Sequence, residues 1–211
     1  MLVFKSSENF RANIQFLYYC ITYTSMGIHQ KTLTGFRAWR TKALEPVAKL
    51  LIKLHITPNI LTSLSLLTGL AAIYFLFTNH TNFIIFALLH LFFDALDGVV
   101  ARLTQSTEFG KWFDVITDTL ISILALVKTA LFMQELYAYI ITVLFIIAFI
   151  IYAITKGKAR MIFIRTVSLI VLAIATSPSI PFTIELISIG FGVVGILTIF
   201  SLGRQVRWIS Q

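Results

Sequence analysis

Asp94, Asp97, Asp114 and Asp118 lie in one stretch, Leu91 to Leu120, whose flanks are apolar enough to sit in lipid. An ionised aspartate in a membrane helix costs ~2.5–3.5 kcal/mol even on the lenient insertion scale. Four close together also repel one another. Arg102 and Lys111 offset at most two of these charges, and both sit nearer the water. A cation should therefore occupy the gap. Carboxylate oxygens are hard ligands that suit Mg²⁺, Mn²⁺ or Ca²⁺. His90 is the one nearby nitrogen ligand and no cysteine lies in the stretch, so a zinc site is disfavoured. Two divalent ions bridged by carboxylates form an arrangement used for phosphoryl-type displacement.

Spacing brings the four together. Asp94 and Asp97 are three apart, and a helix puts them on one face with Gly98 and Ala101. Asp114 and Asp118 are four apart, with Gly110 one turn earlier. A short turn makes the two helices antiparallel. The midpoint of Asp94 and Asp118 is residue 106, and that of Asp97 and Asp114 lies between 105 and 106. The pairs thus sit at matching depths. With ~1.5 Å rise per residue, Asp94 lies ~12 Å inside Arg102, and Asp118 ~12 Å inside Gly110. Gly98, Ala101 and Gly110 let a flat group or a diphosphate approach helix backbone.

The elements that must hold this cluster are membrane helices. The chain has 211 residues, is 58% hydrophobic and only 12% charged, with a net charge of +8. A soluble domain is about a quarter charged. The basic excess points to anionic lipid surfaces and anionic substrates, and no nucleic-acid partner is expected. Cys20 is the single cysteine, so no internal disulfide can form. No cleavable signal peptide is expected, because residues 14–24 lack a small-residue cleavage pattern. About 20 apolar residues cross a bilayer. Six such runs are expected: 58–78, 83–103, 110–132, 136–154, 161–177 and 181–203. Their connectors alternate between basic and uncharged, which places both termini, the 102–111 turn and the 155–160 loop in the cytoplasm. The fold class is thus all-α: a polytopic membrane domain over residues 36–205, followed by a short tail, 206–211. Upstream, Phe36, Trp39, Ala43, Leu44, Val47, Leu50, Leu51 and Leu54 recur at helical spacing with basic residues mostly off that stripe. An amphipathic interfacial helix is expected over 36–54, kinked at Pro46. Thr57 and Pro58 suit the cap and first turn of the first span. Residues 1–35 form an extension of no readable structure. Lys128, near the outer end of its span, is expected to snorkel outward.

"DALDGVVARLTQSTEFGKWFDVITD" resembles the signature of the CDP-alcohol phosphotransferase family, D-x-x-D-G-x-x-A-R, a spacer, then G-x-x-x-D-x-x-x-D. Asp94, Asp97, Gly98, Ala101, Arg102, Gly110, Asp114 and Asp118 fill every fixed position. The spacer from Arg102 to Gly110 holds seven residues, one fewer than that signature has, which puts the fine fit of the facing helices in question. "ITPNILTSLSLLTGLAAIYF" is similar to the family's first span, and six spans after an amphipathic helix match its architecture. The resemblance implies transfer of a phosphatidyl-type group from a CDP-linked lipid to an alcohol, with release of CMP. It implies two divalent ions, Mg²⁺ or Mn²⁺, on Asp94, Asp97 and Asp114, with Asp118 contributing and acting as general base. Gly98, Ala101, Arg102 and Gly110, bordered by Pro58, Asn59 and Thr62, would form the CDP site. Relatives suggest a homodimer in the cytoplasmic membrane of a prokaryote.

The acceptor is less legible. Arg165 sits about a turn and a half into the fifth expected span, where an unpaired charge is expensive. Arginine suits bidentate phosphate binding. Lys156, Lys158, Arg160 and Arg165 are therefore expected to bind a phosphorylated acceptor, glycerol 3-phosphate or an inositol phosphate. The alternatives are an unphosphorylated acceptor (serine, ethanolamine, choline or inositol) or, in another class, a divalent-metal or proton transporter.

Overall fold

The structure is a computed structural model and describes residues 40–104, 107–162 and 165–210. The chain divides into two units at Lys49 and Leu50. The described part of the first unit, residues 40–49, is helical, and the helix assignment (α1) runs over 40–53 without a break at Pro46. Glu45 and Lys49, one turn apart, pair at 2.7 Å, which holds the Glu45 carboxyl below its ordinary range. Val47, Leu50 and Leu54, at helical spacing, are all exposed, as an interfacial apolar face requires. The extension over 1–35, with Phe36 and Trp39, lies outside the described residues.

Six helices follow in the second unit: α2 Pro58–Phe75, α3 His80–Leu103, α4 Glu108–Met133, α5 Leu136–Ile154, α6 Arg165–Ala175 and α7 Thr183–Ile209. They correspond one for one to the six expected runs. No strand occurs among the described residues. The fold is all-α, and the protein is a multi-pass membrane protein. Five of the helices are long and apolar enough to cross a bilayer. The exception is α6, which has 11 residues and is ~16 Å long at 1.5 Å per residue.

Local chemistry explains where the ends fall. Asn79 Oδ1 accepts from Asn82 N at 3.0 Å, so α3 begins at His80, three residues before the apolar run. Thr107 Oγ1 accepts from Gly110 N at 3.0 Å and starts α4. Thr57 stands at the N-cap of α2 but makes no side-chain cap bond, so Pro58 at the first turn is the working signal there. Residues 161 and 162, at the start of the fifth run, are not helical, and α7 bonds to backbone at and before them. Ile162 N donates to Ser201 Oγ at 3.1 Å, and Gln205 Nε2 donates to Ala148 O at 2.9 Å and Ala159 O at 3.3 Å. Lys128, expected to snorkel outward, reaches the last turn of α2. Its Nζ donates to Ile73 O and Tyr74 O, both at 2.7 Å, satisfying carbonyls that the end of α2 leaves open.

Packing places α2 against α3 and α4, and α6 against α3, α4 and α7. Phe83, Ile121, Phe145, Ile187 and Phe191 anchor the shared core. Gly69 is where α2, α3 and α4 come closest: an added Cβ would meet Ile121 Cδ1 at 2.7 Å and His90 Nδ1 at 3.0 Å. Small residues at such crossings are how membrane helices pack. The outward faces carry exposed Leu67, Leu88 and Ile196, as a lipid-facing surface should.

Candidate active site

α3 ends at Leu103 and α4 begins at Glu108, and carboxylates from the two helices come together. Both turn-proximal ends are fixed, α4 by the Thr107 cap and α3 by the Thr104 N–H on Val100 O. Leu103, Glu108 and Phe109, at the two ends of the spacer, are helical. Asp94, Asp97 and Asp114 each present an oxygen, and these atoms lie within 4.8 Å of one another. Asp97 is only 4% exposed, and Thr62 Oγ1 donates to its Oδ2 at 2.7 Å. α2 thus supplies the hydroxyl that orients the most buried carboxylate.

Asp118 is held differently. Arg165, the first residue of α6, sends Nη1 to Asp94 Oδ1 at 2.8 Å and Nη2 to Asp94 Oδ2 at 2.6 Å. The same Nη1 donates to Asp118 Oδ1. The guanidinium is largely buried, and its Nε makes no hydrogen bond. Arg165 is therefore the cation that the local sequence did not provide. Lys111 pairs with Glu108 at 3.2 Å instead. His90 is fully buried one turn before Asp94, but its Nδ1 lies 2.8 Å from Ser65 O and 2.9 Å from Ser65 Oγ, apart from the carboxylate cluster.

Asp97 and Asp114 line a cavity of ≈ 500 Å³ together with Pro58, Asn59, Thr62, Gly98, Ala101 and Gly110. His55, Thr57, Thr104, Thr107 and Lys111 complete its polar lining. Arg102 is exposed and does not line it. Of the basic residues expected to bind an acceptor, Lys158 and Arg160 line a second cavity of ≈ 380 Å³ with Arg204, Arg207 and Trp208. Lys156, two residues past the end of α5, is left-handed (φ 50°) and lies outside that cavity, while Arg165 stands with the aspartates. Arg204 is readable from the sequence as basic and near the same cytoplasmic ends, but the placing of Arg207 and Trp208 beside the 158–160 loop is not. Their spacing on one helix was visible, but their partner loop was not.

Residues 55–209 match the family described as CDP-alcohol phosphatidyltransferase. The chain belongs to that family. A stretch of 80 residues is 45% identical to the phosphatidylinositol phosphate synthase of Corynebacterium glutamicum, covering 36% of this chain and 36% of that protein. No solved structure matches the chain significantly.

For this CDP-alcohol phosphatidyltransferase family member the donor set fits a hard divalent cation. An ion ~2.0–2.6 Å from each oxygen needs donors about this close together. All three donors are carboxylates, as Mg²⁺ and Mn²⁺ prefer over thiolate or imidazole sites. Gly110 gives the cavity wall a test. A Cβ there would meet Asn59 Oδ1 at 3.0 Å and Thr107 Oγ1 at 3.1 Å. Gly110→Ala is expected to raise KM for a CDP-lipid roughly tenfold, the loss of ~1.4 kcal/mol of binding, with thermal stability near that of the unmodified protein. Steady-state kinetics and a melting curve check both halves.

Proposed function

We propose that this chain transfers a phosphatidyl group from a CDP-lipid, CDP-diacylglycerol, to the hydroxyl of a phosphorylated alcohol and releases CMP. The supporting observation is the hairpin itself: three carboxylates within 4.8 Å, beside a cavity of ≈ 500 Å³ lined by the glycines and alanine of the signature. In this reading Asp94, Asp97 and Asp114, with Asp118 contributing, hold two divalent cations, Mg²⁺ or Mn²⁺. When bound, such ions neutralise charge on a diphosphate.

The chain's own residues do the rest. Gly98, Ala101 and Gly110, with Asn59 and Thr62, line the cytidine and diphosphate seat, and Arg102 is assigned to the CDP as it enters. Asp118 takes the proton from the acceptor hydroxyl. The acceptor oxygen forms a bond to the lipid-side phosphorus, and the bond from that phosphorus to the bridging oxygen breaks. The bridging oxygen leaves with CMP. Asp118 is near enough to the cluster to share its substrate, because Arg165 bonds both Asp94 and Asp118.

Arg165 is assigned to the acceptor's phosphate, with Lys156, Lys158 and Arg160 as the approach. Arg165 stands beside the base, bonded to Asp118, and its planar fork suits a phosphate there. Arg165→Ala is expected to raise acceptor KM by roughly 10- to 100-fold, the worth of a charge-assisted hydrogen-bond pair, with KM for the CDP-lipid little changed. A fall in kcat alone would reduce Arg165 to a counter-ion. The acceptor class includes glycerol 3-phosphate and inositol phosphates. The site faces the cytoplasm, and the protein works as a homodimer, which sizing in detergent tests.

The deciding experiment gives purified protein CDP-diacylglycerol, Mg²⁺ and a panel of alcohols, with products identified by mass spectrometry. CMP and a phosphatidylated, phosphorylated alcohol are expected. Turnover only with serine or unphosphorylated inositol would overturn the acceptor class. No CMP with any alcohol, together with metal flux in vesicles, would favour a transporter.

A further inference from the structure

Gln205 lies on α7 and is fully buried. Its Nε2 donates to two carbonyls, Ala148 O on α5 at 2.9 Å and Ala159 O at 3.3 Å. Its Oε1 has no partner among the described residues. A buried amide with one open acceptor is a costly way to fill a core. The donor end therefore needs a reason, and the segment it holds supplies one. One turn earlier on α7, Ser201 Oγ accepts from Ile162 N at 3.1 Å. From the α5 side, Thr155 Oγ1 accepts from Ala159 N at 3.2 Å. Both backbone groups of Ala159 are thus engaged, and the next tie to α7 falls three residues on.

Along this segment burial alternates. Ala159 and Met161 are buried, while Lys158 and Arg160 are exposed. Both basic side chains line the cavity of ≈ 380 Å³ with Arg204, Arg207 and Trp208, and no acidic side chain among the described residues lines it with them. Four cations about one cavity repel. Their repulsion would drive the loop away from α7 unless its backbone were tied there, and Gln205 and Ser201 are that tie. The segment is also joined to the aspartates at both ends. Ile162 precedes Arg165 by three residues, so chain length alone keeps the two within ~11 Å, and Arg165 bonds Asp94 and Asp118. At the other end, the Tyr152 ring on α5 lies 6.0 Å from that of Trp112, two residues before Asp114.

We propose that Gln205, aided by Ser201, is a positioning residue for the acceptor: it holds the 158–162 segment on α7 and so sets where Lys158 and Arg160 meet the phosphorylated alcohol. The proposal deepens the activity argued above and rests on its acceptor assignment. A mutant cycle on the purified protein tests it. Gln205→Met keeps the length of the side chain and removes both donors. It is expected to raise acceptor KM roughly tenfold, as small misplacements of a binding group do, with KM for the CDP-lipid little changed. Ser201→Ala, a milder change, should raise acceptor KM roughly threefold, the effect of one hydrogen bond, and takes the place of Gln205→Met in the cycle if that variant does not fold. In a background carrying Lys158→Ala and Arg160→Ala, either change should add almost nothing, because residues that act through one another are not additive. An amide that merely stabilises the fold would lower the melting temperature and the active fraction and leave acceptor KM unmoved, and that result overturns the proposal. So does a full effect in the background without the two cations, since the grip would then act on something else. If Lys158→Ala with Arg160→Ala leaves acceptor KM unchanged in the otherwise unmodified protein, the assignment of those cations to the acceptor fails first, and the positioning role falls with it.

Discussion

Asp118→Asn is expected to lower turnover by ~10²–10⁴-fold, the usual contribution of a positioned general base. Asparagine keeps the shape of the side chain, and its amide oxygen can still accept from Arg165, as Asp118 Oδ1 does. It cannot take a proton. The loss should therefore fall on kcat, with KM for the CDP-lipid near its original value and the melting temperature close to that of the unmodified protein. Because Asp118 stands outside the set of three oxygens within 4.8 Å, those three carboxylates should still take up divalent metal in the variant. CMP release and Mn²⁺ binding, measured on the same preparation, separate the two roles. A variant that keeps a tenth or more of the rate would transfer the proton to some other group.

Removing divalent cations should have an effect at least as large, and it should reach stability as well as turnover. Asp94, Asp97 and Asp114 face one another closely, and Asp97 is nearly out of contact with water. Like charges so placed repel. A cation that binds the folded state alone stabilises it by ~2.7 kcal/mol at a hundred times its dissociation constant. Mg²⁺ or Mn²⁺ should therefore raise the melting temperature, and chelation should reverse the rise and abolish CMP release. Asp97→Asn gives the complementary result. Its metal-free form should melt at or above the metal-free parent, because one repelling charge is gone, while added Mg²⁺ should shift it little and restore no turnover. A melting curve with and without Mg²⁺ for both proteins checks the sign directly.

Local patterns carried most of what could be read from the sequence. The four aspartates sit on facing helices because their spacings of three and four are helical, and because both pairs are centred on the same turn. Asp94, Asp97 and Asp114 come together because the helix on each side of residues 104–107 holds its own register. Long-range pairings were hidden. Arg165 lies 71 residues from Asp94 and 47 from Asp118, and no periodicity links an arginine to acids so far away. The arithmetic of local charge therefore found too few cations. Lys128 was legible as a costly charge, but its partners, the carbonyls of Ile73 and Tyr74, belong to another helix. At the fifth run, hydropathy cannot register Ser201 and Gln205 bonding backbone at Ile162 and Ala159. In each case the missing information was a side chain on one helix satisfying a group on another.

The central claim is that a carboxylate hairpin gathers divalent ions to cleave a nucleotide-activated lipid. Electron paramagnetic resonance of Mn²⁺ added to the purified protein tests it most directly. About two ions per chain, spin-coupled as neighbours ~3.5–4 Å apart should be, are expected to bind, and Asp97→Ala should lose them. Mn²⁺ that stays free in solution, or that binds the parent and Asp97→Ala equally, would contradict it.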